Sequence, residues 1–464
     1  MKQVILSIIF CVFILSGCKD KVTQADDLRL EDRFKEAAEL YQQAADEGNA
    51  YAKWRLSNAY AWGLGVDFDV EKAWALLNEA YKAGCPQATA DIAEAYISGH
   101  FRTMEVTKDA TKGKEMLEKL CKNTDDTYSL TTLSNCLFRG LYDFSKDEER
   151  AVQILKSVKV KNEASYQYLM AYLSANGMGD IPCDHSKTIS YAKTAYKYGS
   201  TVAALLLGDA FIKGAMGQEK DISKAIEWYK KGVKRCDTGC MKVLSAIYLS
   251  EDTIYSKWKN TQMGIDLLEE AGKLGDGDAY AQLGVLYNMG EHVYKDDDKY
   301  FEYTQKGAEL GSAWAICNLG VAYASGYGVE KDLDKAVTLW IQSSESSDMG
   351  AAAHASLILH SHYFGKDNAL SKKHLLKAAK QGSKDASRVI GFHYYDGTIL
   401  FEKNYNQAFA YFKQAADMGD ITACEKVAYM YENGEGCERN PEKAKEYRDR
   451  TKAKDISQDI ETNN

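Results

Sequence analysis

Proline is nearly missing from this sequence, with three residues in 464. Proline breaks helix interiors, so its scarcity leaves long stretches free to be helical and excludes collagen-like or polyproline structure. Long apolar runs are missing too. The run from Val4 to Leu15 is twelve residues, short of the roughly 20 that a membrane-spanning helix needs. A basic excess is absent: the formal charge is −9, which argues against a phosphate backbone as partner. Disorder is excluded by 45% hydrophobic and 27% charged residues, a balance typical of folded chains.

Catalytic signatures are lacking as well. There is no Gly-x-Ser-x-Gly, no phosphate-binding Walker loop and no His-Glu-x-x-His. Of eight histidines, His354, His360 and His362 are predicted on one helix, but their spacings do not place all three on one face. His362 stands where the preceding unit has Tyr323, so a packing role is expected. Ser343-Ser344-Glu345-Ser346-Ser347 reads as a polar interhelical turn. Asp296-Asp297-Asp298 resembles part of a calcium loop without its later Gly and Glu, and helix capping is favoured there. No enzyme, cofactor or metal site is expected.

What is present is a repeat. One phrase ends in glycine: Tyr41-Gln-Gln-Ala-Ala-Asp-Glu-Gly48, Gln305-Lys-Gly-Ala-Glu-Leu-Gly311 and Gln414-Ala-Ala-Asp-Met-Gly419 are examples. Ten periods of about 37 residues fit between Gly48 and Gly419. A second phrase follows, as in Leu319-Gly320-Val-Ala-Tyr323-Ala-Ser-Gly326-Tyr-Gly328. A third opens the next helix, as in Asp69-Val-Glu-Lys-Ala73 and Asp332-Leu-Asp-Lys-Ala336. Terminal glycine ends a helix in the left-handed conformation. Asp or Asn caps the next one, worth about 1 kcal/mol. Leu, Tyr and Trp at three- and four-residue spacing fill the seam between helices. Tyr60, Tyr287 and Tyr323 are read as packing residues.

These phrases resemble the Sel1-like repeat, a relative of the tetratricopeptide repeat. The resemblance implies an all-α solenoid, an α/α superhelix of about eleven helical hairpins over residues 28–455, after one opening helix near 28–47. It is weakest from 85 to 160, where the terminal glycine is lost. The polar end, 456–464, is expected to be disordered.

At the other end, Leu15-Ser16-Gly17-Cys18 follows Lys2 and the apolar run, and resembles the lipobox of bacterial lipoproteins. That implies a signal peptide over 1–17, lipidation of Cys18 and a tether over 18–27. Lys19 after the cysteine implies the outer membrane by the enterobacterial sorting scheme. Nine residues reach at most about 30 Å, so the folded body should lie near the membrane. Nine cysteines follow Cys18, an odd number that leaves at least one thiol unpaired. Cys236 and Cys240, across a predicted turn, are the expected disulfide pair; buried thiols are the alternative.

The leading expectation is a membrane-tethered scaffold or adaptor in the cell envelope that holds a protein or peptide in the concave groove of the array. Two alternatives stay open. One is an envelope enzyme or cell-wall binder resembling the cysteine-rich, β-lactam-hydrolysing members of the repeat family, whose regular cysteine pairs this chain lacks. The other is a host-facing surface factor.

Overall fold

The computed structural model describes residues 20–141, 144–290 and 292–462. The lipobox Cys18 and the signal sequence lie outside them. Among the described residues are twenty-four α-helices, one 3-10 segment and a two-stranded ribbon. They form two compact units. Unit 1 runs to Ala246 and includes Lys273–Gly275; unit 2 holds Ile247–Gly272 and the chain from Asp276 onward.

Unit 1 begins with α1 (Lys21–Leu30), α2 (Phe34–Asp46), α3 (Ala50–Trp62) and α4 (Val70–Lys82). It continues through α5 (Pro86–Ser98), the ribbon β1–β2 (His100–Phe101, Met104–Glu105), α6 (Ala110–Lys122), α7 (Thr127–Arg139) and α8 (Glu148–Ser157). Then come α9 (Ala164–Asn176), α10 (His185–Lys197), α11 (Ala203–Lys213) and α12 (Ile222–Val233). The boundary between units cuts α13 (Thr238–Leu249), which precedes α14 (Thr261–Lys273). Unit 2 holds α15 (Gly277–Met289), α16 (Asp297–Glu309), α17 (Ala313–Ser325), α18 (Leu333–Ser344) and α19 (Met349–Tyr363). It ends with α20 (Asn368–Lys380), α21 (Lys384–Asp396), α22 (Tyr405–Asp417), α23 (Ile421–Asn433) and α24 (Pro441–Thr462).

Outside the α13–α14 pair, each odd-numbered helix packs on the even-numbered helix after it. The pairing is written locally. Most odd helices stop at a left-handed glycine, such as Gly63 (φ 66°) or Gly326 (φ 78°). From α4 onward, even helices start at an acid or amide whose side chain accepts from the third residue on. Asp69 takes Lys72 N at 2.9 Å, and Asp332 takes Lys335 N at 2.9 Å. The same lysine reaches back across the hairpin. Lys72 Nζ sits 4.1 Å from the ring centre of Tyr60, and Lys335 Nζ 4.0 Å from that of Tyr323. These tyrosines are therefore half-buried braces under a cation, more than the plain packing expected of them.

Two glycine positions explain how the hairpins stack so closely. Glycine in the middle of an odd helix receives a ring from its partner. A Cβ on Gly320 would lie 2.6 Å from Trp340 Nε1, and one on Gly391 2.6 Å from the Phe412 ring. The second glycine of Gly-x-Gly lets the turn touch the hairpin before it. A Cβ on Gly65 would lie 2.3 Å from the backbone of Phe34, and one on Gly436 2.0 Å from Tyr405 O.

Beyond the opening come ten such hairpins and the α13–α14 pair, in line with the roughly eleven units expected, and 85–160 keeps the pattern despite its missing terminal glycine. The opening itself differs. The stretch read as tether and single helix is a hairpin, α1–α2. Asp20 caps α1 by accepting Thr23 N at 2.8 Å, and Val22, Ala25 and Leu28 pack against Tyr41 and Ala44. The serine cluster differs too. Ser343 and Ser344 are helical and fully buried, with Ser343 Oγ donating to Ala313 O at 2.8 Å. A buried hydroxyl so satisfied fits a close helix crossing, so only 345–347 is turn. Asp296 is the cap of α16, as favoured. The last helix runs to Thr462, into the stretch read as a polar tail.

Candidate functional site

Helices α1, α2, α3, α7 and α9 of unit 1 line a half-open cavity of about 560 Å³, within the range of small-molecule and side-chain pockets. Its wall draws on four hairpins and a turn: Arg29 from α1, Arg55 from α3, Tyr128 from α7, Tyr168 from α9, and the segment 198–202. Residues far apart in sequence meet here because the first hairpin is clasped by the α11–α12 hairpin. Asp32, at φ 60° in the α1–α2 turn, accepts Arg235 Nε at 2.7 Å. Arg235 is 3% exposed; it also donates to Tyr196 O at 2.6 Å and lies 3.6 Å over the Tyr196 ring.

The floor is charged. Asp26 Oδ1 accepts Tyr41 OH at 2.5 Å, and Oδ2 accepts Tyr51 OH at 3.4 Å. Arg55 Nε donates to Tyr51 OH at 2.7 Å, lies 3.3 Å from Asp26 Oδ1, and its guanidinium is 4.5 Å from the Trp54 ring centre. One turn of α1 beyond Asp26, Arg29 is less well served. Its Nε stands 3.8 Å from Asp26 Oδ1, is closed to solvent and has no hydrogen-bond partner. Burial, then the nearby Arg55, pull the Arg29 guanidinium below its ordinary value.

Behind the wall stand two carboxylates of α5. Asp91 accepts Trp54 Nε1 at 2.7 Å and Tyr128 OH at 2.6 Å. Burial pushes Asp91 up to about 6 despite those donors. Glu94, one turn on, is pushed up to about 7 by burial and by Asp91. Glu163, at the start of α9, is also raised by burial and by Asp126.

The interior of unit 2 has another character. His360 Nδ1 and Ser371 Oγ are 2.8 Å apart, His374 stacks on Tyr363 at 5.8 Å, and His393 lies 6.4 Å from His360. Burial holds His354, His360, His362, His374 and His393 below the usual imidazole value. His362 faces Trp340 at 6.3 Å. Among the described residues no three His, Cys, Asp or Glu side chains gather as metal ligands.

Of the residues singled out from sequence, Cys18 is outside the described residues. Cys236 occupies the turn after α12 at φ 56°, its Sγ 3.5 Å from Gly63 O. Cys240 is buried in the first turn of α13 and points toward Gly232. Burial raises the Cys121, Cys136 and Cys317 thiols to about 12 each, which makes them poor nucleophiles at neutral pH. The cavity residues were missed. A signal existed: Arg55 and Asp91 stand at the same place in successive hairpins, eight residues before the capping Gly63 and Gly99, among apolar neighbours.

Compared with known families, the chain matches the Sel1 repeat over eleven stretches: residues 31–49, 50–85, 86–125, 129–157, 164–199, 201–235, 277–312, 315–348, 351–383, 385–420 and 421–447. Chitin synthase regulator SKT5 of Saccharomyces cerevisiae is 24% identical over 305 residues, 64% of this chain and 38% of that protein. Chitin synthase regulatory factor 3 of Schizosaccharomyces pombe is 23% identical over 184 residues, 38% of this chain and 20% of that protein. The chain thus spans well under half the length of either relative. Among solved structures, a protective antigen present in uropathogenic Escherichia coli strains is 22% identical, with 89% of this chain and 86% of that chain covered at a TM-score of 0.41. A Sel1 repeat protein from Oxalobacter formigenes is 19% identical, with 73% and 86% covered at 0.36.

Proposed function

This chain belongs to the Sel1 repeat family, and from that premise we propose that it is a membrane-tethered scaffold in a bacterial envelope that holds a protein partner in the cavity of unit 1. The observation that carries the reading is the cavity itself, an aromatic and charged recess lined by helices of four repeats and the 198–202 turn. Arrays of this kind present their inner surface to extended partners. The two yeast relatives are named as regulators of chitin synthase. Only the general part of that role is inferred here, action through another protein rather than chemistry of its own.

A lipid on Cys18, joined to α1 by little more than Lys19 and Asp20, would hold unit 1 close to the bilayer, in keeping with an outer-membrane address. Labelling with a clickable palmitate should mark the native chain, and Cys18→Ser should lose both label and membrane attachment. Retained attachment would remove the tether from the reading. The partner is tested by affinity capture from solubilised envelopes with the native chain and with Asn58→Trp, which fills the cavity. A protein retained by the first and lost by the second is the expected result. Equal retention would place binding elsewhere, and no retention by either would count against a scaffold. Cys236 and Cys240 are both thiols in the structure, and they are proposed to join as a disulfide in the oxidising envelope. Alkylation before and after reduction should then differ by two thiols.

A further inference from the structure

We propose that the unit 1 cavity is a carboxylate-binding site in which Arg29 takes the anion and the surrounding rings take an adjoining apolar group. The partner would dock through an acidic residue beside an aromatic or aliphatic one. This rests on the scaffold reading above and names the chemistry its cavity recognises.

Charge on the floor points that way. Two guanidinium groups, Arg29 and Arg55, share one carboxylate, Asp26. Arg55 is occupied by Tyr51, Asp26 and two aromatic faces. Arg29 has one long ionic contact, to Asp26, and an orphaned Nε, with its Nη1 packed against Gly199. A largely buried cation without a close counter-ion is costly, and an incoming carboxylate lowers that cost with charge-assisted hydrogen bonds.

The backbone agrees. Two helices begin at the cavity, α9 after Glu163 and α11 after Val202, and neither receives a side-chain cap. Most other helices of the array are capped by Asp, Asn or Ser. An uncapped helix start offers unpaired N–H groups and the positive end of the helix dipole, and an anion suits both. The opposing groups are Asp26, already shared by the two arginines, and Glu163, whose carboxylate accepts Ser165 Oγ at 3.2 Å. Burial raises Glu163, which weakens its opposition. A cationic ligand would find Asp26 already bridged by the two arginines and would face both arginines and both helix starts.

The walls decide what accompanies the carboxylate. Trp54, Trp62, Tyr168 and Phe34 supply ring faces and edges, while Asn58 and Asn162 can meet amide groups. At about 560 Å³ the space suits one or two residues of a chain rather than a helix.

The test uses the full chain and four probes: N-acetyl-Phe-Glu-amide, its neutral counterpart N-acetyl-Phe-Gln-amide, the cationic N-acetyl-Phe-Lys-amide, and the free acid N-acetyl-Phe-Gln. Binding is read from tryptophan fluorescence and by calorimetry. The Glu amide or the free acid should bind at least tenfold tighter than the neutral amide. Comparing those two says whether a side chain or a chain terminus is the source. Arg29→Gln should erase the preference, Arg29→Lys should keep part of it, and Ser165→Trp should block every probe. Equal binding of the neutral or cationic probe overturns the proposal. So does no binding at all, or a preference that survives Arg29→Gln. If Arg29→Gln melts early, the native chain and Ser165→Trp still decide. Loss of the probe preference alongside an Asn58-dependent partner would sink the carboxylate and leave the scaffold standing.

Discussion

Units 1 and 2 are built from the same hairpin but fill their interiors differently. Unit 1 collects Asp26, Arg29, Arg55, Asp91 and Glu94 around a cavity; unit 2 collects imidazoles against tyrosine and phenylalanine rings. Caps, turn glycines and small-residue seams are shared, so they specify the array. The inward residues between them are free to vary, and there the units acquire separate chemistry.

The comparison breaks most sharply where a scaffold element is more deeply buried in one unit than in the other. Among the described residues of unit 2 the nearest counterpart to Arg235–Asp32 is Arg388–Asp420, whose arginine is 30% exposed against 3% for Arg235. Removing one partner of a buried ion pair costs about 3–5 kcal/mol. Arg235→Ala should therefore destabilise unit 1 by roughly that amount while protection in unit 2 is kept, as read by hydrogen exchange with mass spectrometry. Equal loss in both units would mean the clasp stabilises more than unit 1.

A shared element should behave alike in both. Gly65→Ala and Gly436→Ala each force a side chain into a neighbouring backbone at positive φ. Each should cost about 2–4 kcal/mol, combining overpacking with left-handed strain. Gly48→Ala, with nothing within 4 Å, should cost only about 1 kcal/mol. Thermal melts of the three variants check the order.

This shared layer is what the sequence made legible. Gly48, Asp69 and Ala73 act within one hairpin, and their meaning is local. The opening hairpin was not legible, because α1 is short and polar and is recognised only through Asp20 and its packing on α2. The cavity was not legible because it depends on Arg29 reaching Gly199 and Asp32 reaching Arg235. Periodicity describes neighbouring repeats and carries nothing about contacts four or five repeats apart. Buried Ser343 was hidden for a related reason: its partner, Ala313 O, belongs to another helix.

Acid should separate the units with a smaller effect. Asp91 and Glu94 have folded values near 6 and 7, raised from 3.8 and 4.5. Their stabilising contribution is complete below the unfolded values and is lost as pH rises through 6 to 7. The histidines of unit 2 are lowered from 6.5, so protonation of the unfolded chain weighs against the fold as pH falls below that value. Moving from pH 7.5 to 5 should strengthen unit 1 around α5 and weaken unit 2 around α19–α21. Hydrogen exchange at both pH values reads this, and Asp91→Asn with Glu94→Gln should flatten the response of unit 1. The same direction in both units would contradict the assignment.

The most direct test of the central claim compares equivalent inward positions. Asn58 and Val321 each stand five residues before a capping glycine, Gly63 and Gly326. A photo-crosslinking residue placed at each in turn, in cells, asks which interior meets a partner. A discrete adduct from position 58, with none from 321, is the predicted result. An adduct from 321 alone, or from neither, would contradict the claim that unit 1 holds the binding site.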